Sequence, residues 1–261
     1  MVVDRIAARL PESEVYKRSC YREAPQGVEA MIRRGEGSTV SARDFLPQQR
    51  DLVSLAEAAR ACQGCELYKR GTQTVFGAGP RNAEIMFVGE QPGDQEDLQG
   101  RPFVGPAGQM LDTAMEQAGI DRGQVYVTNA VKHFKWAPRG KRRLQAKPNA
   151  REMSACRPWL EAELAALKPK ILVCLGATAA QSLLGSGFRI TKQRGQVIRS
   201  DWGVPIIATY HPSALLRAPD EVARAEMHKL FLTDLKKIAE LIRGDGEKPA
   251  MRTSRVKPKP R

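Results

Sequence analysis

The chain has 261 residues, a hydrophobic share of 42%, and 42 basic against 29 acidic side chains for a net charge of +13. That is enough apolar material for one large α/β domain with appendages, and the charge favours a polyanionic partner, with nucleic acid the first candidate. No apolar run reaches the length of a membrane span and the opening MVVDRIAARL lacks the apolar core of a signal peptide, so a soluble cytoplasmic protein is expected.

Residues 1–45 contain no strand of useful length and read as an N-terminal extension holding Cys20, a free thiol. From Asp51, the spacing of Leu52, Leu55, Ala56 and Ala59 predicts a helix that delivers the chain to CQGC, Cys62 and Cys65. A CxxC pair puts two thiolates on one tight turn, which suits half of a metal site or a redox pair.

Glu84 to Val88 reads as a buried strand that runs into GEQPGDQED, where Glu90, Gln91, Asp94, Glu96 and Asp97 crowd one turn. A carboxylate leaving a buried strand is a candidate for chemistry, and a solvated acidic loop is the plain alternative. GPAGQMLDTAMEQAGI then predicts an amphipathic helix ending at Gly119, and QVYVTN a second strand ending in Thr128 and Asn129. The following run to Cys156 carries Lys132, Lys135, Arg139, Lys141, Arg142, Arg143 and Lys147 with Phe134 and Trp136. It reads as a disordered basic loop or, since aromatics are mixed with cations, as a contact for phosphates and bases.

Asn149 or a neighbour caps the next helix, which carries Leu160, Leu164 and Leu167 on one face. KILVCLG is a third strand with Cys174 as core packing, RGQVIRS an edge strand, and VPIIATY a fourth main strand that runs straight into His211. A long helix from about Asp220 to Arg243 closes the domain, and residues 244–261 form a basic tail expected to be disordered. The alternation predicts a three-layer α/β/α sandwich with a central, mostly parallel four-stranded sheet over residues 46–243. Glu90, Asn129 and His211 then emerge at strand ends of one sheet, where open α/β folds build their sites.

The residues so assembled resemble the iron–sulfur uracil-DNA glycosylases of family 4, most closely their UdgX branch. The resemblance is carried by GEQPGDQED at 89–97, RPFVGPAGQMLD at 101–112, VYVTNAVKHFK at 125–135, the KRRL loop at 141–144, CRPWL at 156–160 and HPSALLR at 211–217. It implies a [4Fe–4S] cluster held by Cys62, Cys65, His133 and Cys156, although three thiolates and one imidazole would also suit tetrahedral zinc. It further implies a uracil pocket in which Phe103 stacks on a flipped base, Asn129 pairs with the uracil edge, and Gly89, Gln91 and Asp94 line the polar side. His211 would sit at O2 of the leaving base and Glu90 beside the cationic sugar, with Lys141, Arg142, Arg143, Ser213 and Arg217 toward DNA.

The implied reaction is hydrolysis of the N-glycosidic bond after base flipping, with free uracil as product and single-stranded DNA accepted, by a monomer with no membrane partner. UdgX proteins carry a KRRIH loop whose histidine attacks the sugar. This chain reads KRRLQ, so the matching residue is Gln145. An amide nitrogen is a far poorer nucleophile than imidazole, and a turnover enzyme is expected ahead of a covalent trap or a non-catalytic binder.

Overall fold

The computed structural model describes residues 40–244. Cys20, the rest of the expected extension up to residue 39 and the basic tail from 245 onward lie outside the described residues. In chain order the elements are α1 (Leu52–Ala59), β1 (Ile85–Gly89), α2 (Asp94–Gln99), α3 (Pro106–Ala118), β2 (Val125–Asn129), β3 (Trp136–Arg139) and β4 (Arg142–Gln145). There follow α4 (Ala150–Leu167), β5 (Ile171–Leu175), α5 (Gly176–Leu184), α6 (Ile190–Gln193), β6 (Val197–Ile198), β7 (Ile206–Thr209), α7 (Pro212–Leu216) and α8 (Glu221–Arg243).

The main sheet has the order β2-β1-β5-β7-β6. Its first four strands are parallel and are the four that the sequence predicts; RGQVIRS supplies β6, a short antiparallel edge against β7. Every residue of β1, β2 and β5 is buried, which is why these strands read as unbroken apolar runs. Alternate side chains serve opposite layers. Phe87, Val127, Val173 and Ile207 pack on Leu111 and Met115 of α3 and on Phe231 and Leu235 of α8. Met86, Val88, Tyr126, Leu172 and Cys174 meet Leu160 and Leu164 of α4 and Leu183 of α5. The result is the three-layer sandwich, with Cys174 wholly inside it and its thiol pKa raised by burial.

Local chemistry sets the element ends. Asp51 caps α1 through the amides of Val53 and Ser54, and Asn149 and Glu152 form a reciprocal capping box on α4. α3 begins with Pro106 and stops at Gly119, whose φ of 71° closes the turn. Among the described residues no helix is long and apolar enough to cross a membrane.

Two segments depart from the sequence reading. The folded unit starts before residue 46: Ala42–Phe45 is a capped 3-10 turn, and Ala42 is buried beside the cysteine turn. Gly64, between Cys62 and Cys65, fits there because a Cβ on it would lie 2.5 Å from the Ala42 amide nitrogen. The basic run after Asn129 contains an antiparallel hairpin, β3–β4, turned at Gly140, whose φ is 58°. Carrying Arg139, Lys141, Arg142 and Arg143 and largely exposed, the hairpin offers no alternation of apolar residues by which periodicity could find it.

Candidate active site

The parallel strands bring their C-terminal ends to one edge. There Asn129 stands level with Gly89 across the β1–β2 pair, and Glu90 follows Gly89 directly. The Asn129 side chain is buried, and its Oδ1 is the single buried side-chain oxygen or nitrogen among the described residues that has no hydrogen-bond partner. Gly89 leaves the space: a Cβ on it would lie 2.3 Å from Asn129 Oδ1 and 2.9 Å from the tip of the Phe103 ring. Phe103 adopts a φ of 57°, uncommon for a residue with a side chain, and its ring lies against His211 with centroids 6.2 Å apart and planes 27° from parallel. Gly89, Phe103, Asn129 and His211 therefore lie together at this edge, with an unpartnered buried acceptor among them.

His211 leaves β7 and caps α7. Its Nδ1 accepts the Ser213 amide at 3.1 Å and lies 2.8 Å from the Ser213 hydroxyl, which assigns the ring proton to Nε2. Burial, then the charge of Arg217, pushes its pKa down from 6.5 to about 4, so the ring is neutral at pH 7. A neutral imidazole with a free Nε2–H is a hydrogen-bond donor. Ser213 is thus engaged as the partner of His211, and Arg217 stands exposed at the end of α7. The Glu90 carboxylate is half-buried and makes no hydrogen bond or ion pair with a described residue, while its main-chain oxygen accepts from Val131.

The acidic turn is not one feature. Three of its acids belong to the short helix α2, and each carboxylate except that of Glu90 is committed. Glu96 accepts the amides of Gly93 at 3.1 Å and Gly105 at 2.8 Å, closing the loop that carries Phe103. Asp97, fully buried, accepts the amide and hydroxyl of Thr72 and the guanidinium of Arg143. Asp94 pairs with Arg143 at 2.6 Å. The Gln91 amide is spent as well: it receives Lys135 N–H and donates to the carbonyls of Lys135 and Ala146. Gln91 thus clasps the root of the hairpin, and only its backbone remains for a ligand.

Arg143 is a strut rather than an open cation. It pairs with Asp94 and Asp97, donates to Thr72 Oγ1 at 3.1 Å and lies over the rings of Phe134 and Trp136. Lys141 and Arg142, by contrast, are exposed at the hairpin turn without an ion-pair partner among the described residues. Gln145 is exposed at the other end of β4, opposite Trp136.

Cys62, Cys65 and Cys156 cluster with Trp159 and Val131 in a third apolar group behind the hairpin. Trp159 Nε1–H donates to Cys62 Sγ and Lys132 N–H to Cys156 Sγ, each at 3.2 Å, bonds that favour thiolate character. Burial, the largest cause, pushes Cys156 up to about 12 against the opposing charge of Lys132, and it also raises Cys65, so a cationic centre that stabilises the thiolates is needed for these sulfurs to act as ligands. His133 is buried, and its Nε2 lies 3.0 Å from Thr74 Oγ1. That hydroxyl already donates its proton to the Ala59 carbonyl, so it accepts from Nε2–H and leaves Nδ1 with the free lone pair. A ligating histidine held by its other nitrogen has this arrangement. Among the described residues, no three His, Cys, Asp or Glu side chains close around a single ion.

Sequence reasoning assigned Lys132 to the basic run, yet it is fully buried against Glu163 of α4. The available signal was Glu163 itself, a charge set among Leu160, Leu164 and Leu167 on an otherwise apolar helix face. Asp234 is the corresponding buried acid of α8.

Comparison with known proteins places these features in a family. Residues 76–236 match the model of the uracil DNA glycosylase superfamily. The type-4 uracil-DNA glycosylase of Thermotoga maritima is 37% identical over 195 residues, spanning 74% of this chain and 95% of that one. The type-4 enzyme of Archaeoglobus fulgidus is 39% identical over 73% of this chain and 92% of its own length, and a type-5 uracil-DNA glycosylase of Pyrobaculum aerophilum is 31% identical over 63% and 76%. This chain belongs to the uracil DNA glycosylase superfamily.

Proposed function

We propose that the chain is a base-excision enzyme that takes uracil out of the DNA stack, hydrolyses its N-glycosidic bond and turns over, leaving an abasic site. Glycosylase chemistry follows from the family and from relatives that carry the type-4 name. The observation that carries the choice of base is the unpartnered Asn129 Oδ1. A buried carbonyl without a donor costs about 1–3 kcal/mol, and a ligand N–H removes that cost. Uracil offers N3–H to Oδ1 and O4 to the amide N–H of the same side chain. Cytosine presents an unprotonated N3 and an amino group, and so leaves both ends of the amide facing like partners.

In this reading Phe103 stacks on the base and His211 Nε2–H points to O2. When the bond from the sugar C1′ to N1 breaks, the electron pair leaves with uracil, and the charge reaching O2 meets a donor already in place. Because His211 is neutral, it stabilises the anion by hydrogen bonding rather than by giving up a full proton. The Glu90 carboxylate, with no partner among the described residues, balances the positive charge developing at C1′ and orients the water that adds there, whose proton passes to solvent. Lys141 and Arg142 meet backbone phosphates, and single-stranded DNA is read as an accepted substrate.

Cys62, Cys65, His133 through Nδ1, and Cys156 would hold a [4Fe–4S] cluster, which supplies cross-linking of the segment behind the hairpin and no electron to the reaction. A colourless protein containing zinc but no iron would overturn that assignment. The exposed amide of Gln145 is a poor nucleophile, which favours turnover over the covalent capture of the UdgX branch. The protein is read as a cytoplasmic monomer. Chromatography of single-stranded uracil DNA treated with the protein tests the activity: free uracil should appear, and no free cytosine from a matched cytosine strand. Equal release from both strands, or from neither, would contradict the proposal.

A further inference from the structure

Behind two of the strand ends that carry a pocket residue lies an ion pair for which the chemistry has no use, Lys132–Glu163 fully buried and Arg194–Asp234 with the arginine side chain 19% exposed. Lys132 Nζ bonds to Glu163 Oε2, to Thr128 Oγ1 at 2.6 Å and to the Asn129 carbonyl at 2.8 Å, which exhausts its three protons. Glu163 also receives Tyr126 O–H at 2.9 Å, Gly77 N–H at 3.1 Å and Thr128 O–H at 2.9 Å. Lys132 and Glu163 are both 0% exposed, so this lysine meets no phosphate.

The second pair repeats the plan on the opposite layer. Asp234 of α8 receives Arg194 Nη1 on both oxygens, at 2.8 and 2.7 Å, and Thr209 O–H at 2.6 Å. Thr128 directly precedes Asn129, and Thr209 stands two residues before His211. In each case a threonine at a strand end hands its hydroxyl to a carboxylate rooted in the helix behind, and a cation neutralises that carboxylate. Such pairs are poor instruments of stability, since apolar groups of the same volume commonly do as well. What they supply is direction: each strand-end hydroxyl is held to one carboxylate, and each carboxylate is held in turn by several donors.

We propose that the two pairs are separate positioning devices, Lys132–Glu163 setting Asn129 for base recognition and Arg194–Asp234 setting His211 for stabilisation of the leaving group. The inference rests on the roles given to Asn129 and His211 above. Lys132 grips the main-chain carbonyl of Asn129 itself, so a shift there moves the recognising amide. Thr209 is bonded at the last residue of β7, and the Arg194 guanidinium lies 5.4 Å from the centroid of the Tyr210 ring, next to His211. Displacements well below 1 Å at such residues are enough to alter rates.

The two devices should come apart experimentally. Uncharged pairs avoid stranding a buried ion: Lys132→Met with Glu163→Gln, and Arg194→Met with Asp234→Asn. For each, single-turnover rate on single-stranded uracil DNA and inhibition by free uracil are measured on folded protein, with iron content and thermal midpoint as controls. The first pair should weaken free-uracil inhibition about tenfold, and the second should slow the chemical step about tenfold while moving inhibition less than about threefold. If either pair does not fold, Thr128→Val and Thr209→Val remove one hydroxyl each and should show the same split at smaller amplitude. Lower thermal midpoints with both kinetic quantities unmoved, or identical changes from both pairs, would overturn the inference. A wild-type chain that excised no uracil would instead overturn the reading beneath it.

Discussion

Lys132 and Arg142 belong to one basic run, and the fold sends them to opposite fates. Lys132 is sealed under the base pocket with all its protons assigned, whereas Arg142 stands in solvent at the tip of a hairpin. The difference is one of surroundings: the segment just after β2 packs on α4, while the hairpin is fixed to the body mainly through Arg143 and Gln91. A charge run is therefore several devices, and only its exposed part is available to a polyanion. The pocket behind it is pre-set, and the hairpin is an attachment whose chemistry can vary.

The comparison breaks first at His211. Replacing it with Ala should slow excision by about 10²–10³-fold with DNA affinity nearly unchanged, because a single donor aimed at developing charge carries that much. A loss below tenfold would move the chemistry elsewhere. The ring's pKa of about 4 adds a second check by NMR, with no inflection of the rate near 6.5. Between those values the unfolded chain binds the proton and the folded one does not, so the contribution of this residue to stability falls as pH drops from 6.5 toward 4. Asn129→Asp comes next: uracil-over-cytosine preference measured on paired oligonucleotides should fall by about 10–100-fold. Unchanged preference would remove Asn129 from recognition.

On the hairpin side, Gln145→His should add a heat-stable protein–DNA adduct to a reaction that otherwise turns over. If no adduct forms, the root of β4 lies away from the sugar. Arg143→Ala should cost about 1–3 kcal/mol in chemical denaturation, since it leaves Asp97 buried without its cation. Arg142→Ala should do least. Its stability should hold, and the salt dependence of DNA binding should weaken by about one phosphate contact. Equal stability losses from the two arginines would erase the distinction between strut and open cation.

The strands and long helices were legible because burial on both faces writes continuous apolar runs and because caps such as Asp51 and Asn149 mark helix starts. Asn129 and His211 were legible as polar residues at strand ends. α2 was not, since a six-residue helix with three acids has no apolar stripe, and its acids are explained only by distant partners such as Thr72, Gly105 and Arg143. Nor could sequence spacing separate Lys132 from Arg142. The place of Glu163 among Leu160, Leu164 and Leu167 shows that it faces inward, but only the packing of α4 on the sheet shows that Lys132 is the cation it meets.

The most direct test is a denaturing gel of single-stranded uracil DNA after incubation with the wild-type protein. The account predicts an alkali-labile abasic strand, accumulating over several turnovers, and protein that migrates free of DNA. A stable adduct in stoichiometric yield, or a strand that stays intact although protein binds it, would contradict it.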